Sequence, residues 1–249
     1  MANSTTTLTA LTFNPSKLTL EAPEEVKGRK GSWSAKLKYD DDYFLVQTAK
    51  LFTPFGANSF NNDGKFALTF TVDGKDEKQA ALQKMLVAFE NRVKELVQDL
   101  KSKKLSKLNF SPLVKESSDP EKYNPTFTVK LRTVPEKNFD GKDNDNVGDL
   151  YATVYNKSKT KVAVNVENIE QELGRRSSSR CLLMMNKVWF ASSLGKFGVT
   201  VNAKQLMVYP NKEQGCMFNE VSDDESEEEV AEETEEADEE LDDLASDEE

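Results

Sequence analysis

FALTFTVDGKDEKQAALQKMLVAFENRVKELVQDL, residues 66–100, decides the fold, because the hydrophobic period changes inside it. In 66–72, Phe66, Leu68, Phe70 and Val72 alternate with smaller or polar residues. That is the period of a strand with one buried face. From Leu82 the spacing changes to i, i+3, i+4, i+7, through Met85, Leu86, Phe89, Val93, Leu96, Val97 and Leu100. The spacing predicts one amphipathic helix, roughly 77–101, whose apolar stripe covers an end or side of a β structure. Asp76 followed by Gln79 reads as a capping box, and KSKK at 101–104 places cations where the helix dipole favours them.

Strand signals lie on both sides of the helix. Residues 9–20 read as an opening strand or two. In WSAKLKY, 33–39, Ala35, Leu37 and Tyr39 share one face, while Lys36 and Lys38 share the other. YFLVQTAKLF at 43–52 is β-rich. TFTVKLR at 126–132 buries Phe127, Val129 and Leu131 and turns out Lys130 and Arg132. KNFDGKDNDNVGD at 137–149 reads as a polar loop, with short strands following near 150–155 and 161–166. QELGRRSSSR at 171–180 reads as a flexible basic loop. CLLMMNKVWF and KFGVTVNAKQLMVYP read as two antiparallel strands joined by ASSLG. Many short strands with one embedded helix predict a mainly β protein: an OB-fold barrel with one inserted amphipathic helix.

The charge is divided along the chain. There are 33 Lys or Arg and 44 Asp or Glu; 19 of the acidic residues fall in 220–249, leaving 25 in residues 1–219 and a body of net +8. All the aromatic residues (14 Phe, 6 Tyr and 2 Trp) also lie in that body. The expected organisation is a folded domain over 1–210 and a disordered acidic tail over 211–249, too poor in apolar residues to offset the entropy of ordering. A basic body tied to an anionic tail suits a polyanion-binding surface that carries its own competitor.

The chain has no His and two cysteines, Cys181 and Cys216. Two thiols cannot close a four-ligand zinc site, so no metal or other cofactor is expected. Without His, every His-based nucleophile or general base is excluded, and no phosphate-cradling glycine loop is present, so no enzyme machinery is visible. The N-terminus lacks the pattern of a signal peptide, and no stretch approaches the ~20 apolar residues of a membrane span. The expectation is a soluble intracellular protein with reduced, buried thiols.

Exposed aromatics stack on bases, while Lys and Arg follow phosphates, and together they make a surface for single strands. The candidate cations are Lys36, Lys38, Lys50, Lys130, Arg132, Arg175, Arg176, Lys196 and Lys204, with Arg180 and Lys187 beside them. The candidate stacking residues are Phe52, Phe55, Trp189 and Phe197, with Trp33 and Phe60 in the wider set. Each Lys could equally be a solvated surface residue, and each aromatic a core residue. In the tail, Leu241 and Leu244 stand among Glu239, Glu240, Asp242 and Asp243 and could anchor docking, to the basic groove or to basic partner proteins. Ser222 and Ser226 precede acidic triplets and suit an acid-directed kinase. The alternative reading is an acidic-tailed chaperone for basic proteins such as histones.

The run VQTAKLFTPFGANSF (46–60), the helix, EKYNPTFTVKLR (121–132), KVWFASSLGKFGVTVNAKQLMV (187–208) and the acidic end follow in this order. This order resembles the single-stranded DNA-binding proteins of giant DNA viruses of algae and protists, themselves similar to the replicative single-stranded DNA-binding protein of T-seven-type phages. The resemblance spans roughly residues 8–210. It implies an OB fold with a helix inserted between strands. It also implies sequence-independent binding of single-stranded DNA in viral DNA replication, recombination and repair. It further implies an acidic tail that shields the groove and recruits replication proteins. A homodimer is among the implied states, and the site of viral DNA replication, host nucleus or cytoplasmic virus factory, is the implied location. The matching positions are Phe55 and Gly56, Tyr123 and Pro125, Lys130 and Arg132, Trp189 and Phe190, and Lys196, Phe197 and Gly198. Stacking platforms accept either sugar, so RNA stays open beside DNA.

Overall fold

The computed structural model describes residues 5–59, 65–137 and 142–210. The expected tail, with Glu239, Glu240, Leu241, Asp242, Asp243 and Leu244, lies outside the described residues, as do Phe60 and Cys216. Before the helix come β1 (Thr6–Leu8), β2 (Leu18–Leu20), β3 (Glu24–Glu25), β4 (Ser32–Tyr39), β5 (Phe44–Gln47), β6 (Leu51–Thr53), β7 (Ala57–Ser59) and β8 (Phe66–Thr71). Helix α1 is Glu77–Gln98. It is followed by β9 (Asn109–Phe110), β10 (Val114–Lys115), β11 (Thr126–Leu131), β12 (Thr153–Tyr155), β13 (Lys161–Val162) and a short helix α2 (Ile169–Glu172). The chain then forms β14 (Ser177–Met184), β15 (Lys187–Ala191), β16 (Lys196–Val199) and β17 (Asn202–Tyr209).

The larger sheet closes on itself. β6 pairs with β8, β8 with β11, β11 with β17, β17 with β14, and β14 returns to β6. Five barrel strands result, with β5 and β6 acting as two halves of the first. They are separated at Thr48, whose N–H donates to the Cys181 carbonyl and whose hydroxyl accepts the Cys181 N–H. In chain order the strands are first (β5/β6), second (β8), third (β11), fourth (β14) and fifth (β17). Around the barrel they run first, second, third, fifth, fourth. All neighbours are antiparallel except β11 and β17, which meet in parallel at Lys130 and Asn202. This is an OB barrel, as the strand pattern predicts. The inner face holds Leu68, Phe70, Phe127, Val129 and Leu183, all 2% exposed or less, with Phe70 and Phe127 rings 5.5 Å apart.

α1 is the long insertion, between the second and third strands. Its buried side is Leu82, Met85, Leu86, Phe89, Val93 and Val97, the expected stripe, with Leu96 and Leu100 partly buried at its end. Phe89 packs between Phe13 and Phe44, with ring centroids 6.0 and 6.4 Å away. Glu90 shares this buried side, and its Oε1 accepts the backbone N–H groups of Leu113 and Val114 at 2.6 and 3.2 Å. Those two bonds hold the start of β10 against the helix. Asp76 caps the helix by accepting the Gln79 N–H, but Gln79 reaches Asp73 N–H and the Lys50 carbonyl rather than closing a reciprocal box. The helix stops at Gln98, three residues before the predicted end, so KSKK lies beyond the last turn.

Two further readings need correction. CLLMMNKVWF and KFGVTVNAKQLMVYP each divide in two. β14 and β17 belong to the barrel, whereas β15 and β16 form an outer hairpin in a second sheet with β4, β2, β3 and β9. The apolar run is continuous through both bends, so periodicity does not mark where the chain leaves the barrel. Ser177–Arg180, read as loop, is the start of β14; only the residues around Gly174–Arg176 turn.

Candidate nucleic-acid interface

The second and third strands present a flat outer floor. β8 and β11 pair over six residues, which places Ala67, Thr69 and Thr71 beside Lys130, Thr128 and Thr126 on the outside. Small side chains keep this floor low, and the Thr69 and Thr128 hydroxyls lie 3.3 Å apart. Lys115 on β10 is opposite Thr126, and Phe52 on β6 is opposite Thr71. One row therefore runs Lys115, Thr126, Thr71, Phe52. Phe52 is 41% exposed, as a strand residue facing out must be. Arg132, two residues past Lys130, is exposed.

The outer hairpin supplies the wall. In β15–β16, Trp189 is opposite Gly198, and a Cβ built on Gly198 would lie 2.8 Å from Trp189 Cζ2. The indole lies against the strand because that position has no side chain. Trp189 shares an open groove with Thr128, Lys130, Lys115 and the 111–113 segment. The register places Lys36 opposite Lys187 on the same outer face as Trp189, and Lys196 is opposite Ala191 on that face too. Lys38 continues the row along β4. Among the described residues the acid paired with it is Glu21, 2.8 Å from Lys38 and 3.9 Å from Lys36. The hydrogen bond from Lys38 holds the Glu21 carboxyl below its ordinary range, and the same bond raises the Lys38 ammonium. A bound phosphate would compete with Glu21. Glu21→Gln is expected to strengthen oligonucleotide binding at low salt, with the gain fading as salt rises. Anisotropy titration at two salt concentrations checks this, and weaker binding would contradict it.

The other wall is the loop between the first two strands. Phe55, in the short link between β6 and β7, is 58% exposed. Gly56 follows with φ +67, its Cα so close to the 173–175 backbone that a Cβ would lie 2.6 Å from the Leu173 carbonyl oxygen. The Ala57 N–H donates to that same carbonyl at 2.8 Å. This tie brings Phe55 beside the turn carrying Arg175 and Arg176, both exposed. Gly56→Ala is expected to destabilise the fold by about 1–3 kcal/mol, through positive φ and a backbone clash that no side-chain shift relieves. A denaturant melt measures it.

The structure thus unites Lys36, Lys38, Trp189 and Lys196 on one sheet face. Lys130 lies on the third strand and Arg132 just past its end, Phe52 faces out at the edge of the floor, and Phe55 lies in the loop beside the turn of Arg175 and Arg176. It sets three candidates elsewhere. Phe197 is 3% exposed, packed against Phe190 and Phe110 at 5.8 and 5.2 Å, so no base reaches it. Lys204 is exposed on the fifth strand, where the pairing with β14 shifts register. Lys50 turns toward that side as well, its ammonium 4.6 Å above the Tyr209 ring. Trp33 is half-buried against the core. Cys181 is fully buried, and burial pushes its thiol far up, which agrees with a packing role. Reasoning from residue pattern alone passed over Lys115 and Tyr151. The latter is 57% exposed, and its N–H donates to the Arg132 carbonyl.

No family model matches the chain, and no curated protein matches it. Among solved structures it is similar to the single-stranded DNA-binding protein from bacteriophage Enc34, at 10% identity and TM-score 0.42, covering 82% of this chain and 98% of that one. It is also similar to gp2.5, a single-stranded DNA binding protein encoded by bacteriophage T7, at 13% identity and TM-score 0.45, covering 70% of this chain and 98% of that one.

Proposed function

We propose that this protein binds single-stranded DNA without regard to base sequence, along the outer floor of the second and third barrel strands. The observation that carries the reading is Trp189, laid over Gly198 beside Lys130 and Lys115. It offers a π-face to any base, with cations beside it for the phosphates. The floor is built from Ala and Thr rather than the Asn, Gln and Glu arrays that read base edges. OB barrels use this face, between the loops joining strands one to two and four to five. Here those loops carry Phe55 and Trp189.

The roles in replication, recombination and repair and the viral setting rest on the motif order in residues 46–208. The acidic stretch from 220 is proposed as an intramolecular competitor for the groove and a docking segment for replication proteins, on the strength of its 19 acidic residues against a basic body. The test is an anisotropy titration of labelled oligo-dT and a mixed-sequence oligonucleotide with the full chain and with a chain ending at residue 210. Both oligonucleotides are expected to bind alike, with log K falling about 0.7 per neutralised phosphate against log salt. The shortened chain is expected to bind more tightly. Absence of salt-dependent binding by either form would overturn the groove, and weaker binding by the shortened chain would overturn the competitor role.

A further inference from the structure

The barrel has a second outward face, across β12, the fifth strand, the fourth strand and the first. Tyr155 is opposite Lys161 on one side and Met207 on the other, and Met207 is opposite Arg180. One row therefore runs Lys161, Tyr155, Met207, Arg180 across four strands, a span of about 14 Å at ~4.8 Å per strand. Tyr155 and Arg180 line a shallow groove with Gln47, Leu182, Gln205 and Met207. β5, β6, β12, β13, β14 and β17 contain no Asp or Glu, so no carboxylate from these strands neutralises Arg180, Lys204 or Lys161. A second row runs Tyr209, Ser178, Phe52, because Ser178 is opposite both of the others. Lys50 lies over Tyr209 at 4.6 Å. Phe52 also ends the row on the floor, so the two faces share that ring. Aromatic rings beside cations, on strands that carry no carboxylate, repeat the aromatic-and-cation pairing of the floor.

On the reading that the floor binds a single strand, we infer that a longer strand does not end at Phe52. It continues over Ser178 and Tyr209 onto this second face, its bases on Tyr209 and Tyr155 and its phosphates on Arg180 and Lys204. The occupied length then exceeds what the floor alone holds. OB folds occupy about 4–16 nucleotides each, so an oligonucleotide of about 8 tests the floor and one of about 30 tests the extension.

The experiment titrates both lengths with the full chain as wild type, as Arg180→Glu/Lys204→Glu, and as Lys130→Glu. The double variant is expected to bind the short oligonucleotide as wild type does. It should lose about tenfold or more on the long one at low salt, with a salt slope shallower by about 1.4, two cations at ~0.7 each. Lys130→Glu is expected to lose affinity for both lengths. Equal effects of the double variant on both lengths, or none on either while Lys130→Glu acts, overturn the extension and leave the floor standing. Silence of Lys130→Glu at both lengths sinks the floor and the extension together. Tighter binding by the double variant at every length overturns the extension in favour of the acidic segment from residue 220 as occupant, since that segment follows the fifth strand in the chain. Both substituted residues are exposed; if charge reversal lowers the melting temperature, Arg180→Gln/Lys204→Gln is read by the same criteria.

Discussion

Replacing Trp189 by alanine is expected to weaken single-strand binding by about 1–3 kcal/mol, about five- to 150-fold, while leaving stability nearly unchanged. Both halves follow from where the ring lies. It rests on the outer face of β15 over Gly198, and the neighbours Val188 and Phe190 fill the core side. Removing it takes away a platform without opening a core cavity. A companion substitution separates the ring's position from its presence. Gly198→Val puts a side chain where a Cβ alone is already 2.8 Å from the indole. The ring must lift, and binding is expected to fall although Trp189 is still there. Anisotropy titration with oligo-dT and a parallel thermal melt read the two effects. Unchanged affinity in both variants, with folding intact, would remove Trp189 from the interface.

The second large effect is on stability. Phe89→Ala is expected to cost about 3–5 kcal/mol, the range for deleting a buried aromatic ring. Phe89 is fully buried between Phe13 and Phe44, where α1 crosses the strands. Total stabilities of about 5–15 kcal/mol make this a large fraction of what holds the domain folded. The cost reaches the interface as well, because Glu90, the next residue on the helix, holds β10 and so Lys115. The midpoint of urea unfolding measures the loss. A shift equivalent to less than about 1 kcal/mol would mean that the ring is not packed as described.

The parts of this fold readable from sequence are those whose signal is local. The change of period at 72–82 announces a single long helix after a strand, and alternation in 33–39 and 126–132 announces which residues turn outward. These patterns put Lys36, Lys38, Lys130 and Arg132 on the surface before any geometry is known. What stays hidden depends on pairing between distant segments. The barrel closes through Lys130 and Asn202, 72 residues apart in the chain, and no periodicity reports it. The division of 181–209 into inner and outer strands is equally silent, since Met185 and Val188 are both fully buried on either side of the bend. Phe197 and Trp189 look alike as aromatics in a β-rich run. Register separates them, setting one against Phe190 in the core and the other over Gly198 outside. Short helix α2 leaves no mark in the sequence pattern, because four residues carry too little period.

The most direct test of the interface is photochemical cross-linking of the full chain to a short oligonucleotide, about 8 nucleotides long, carrying 5-iodo-deoxyuridine, which couples to aromatic rings stacked on it. The expected cross-linked peptides contain Trp189 and, on the other side of the floor, Phe52 or Phe55. Cross-links confined to peptides without these residues, with the oligonucleotide demonstrably bound, would contradict a strand lying across the second and third barrel strands.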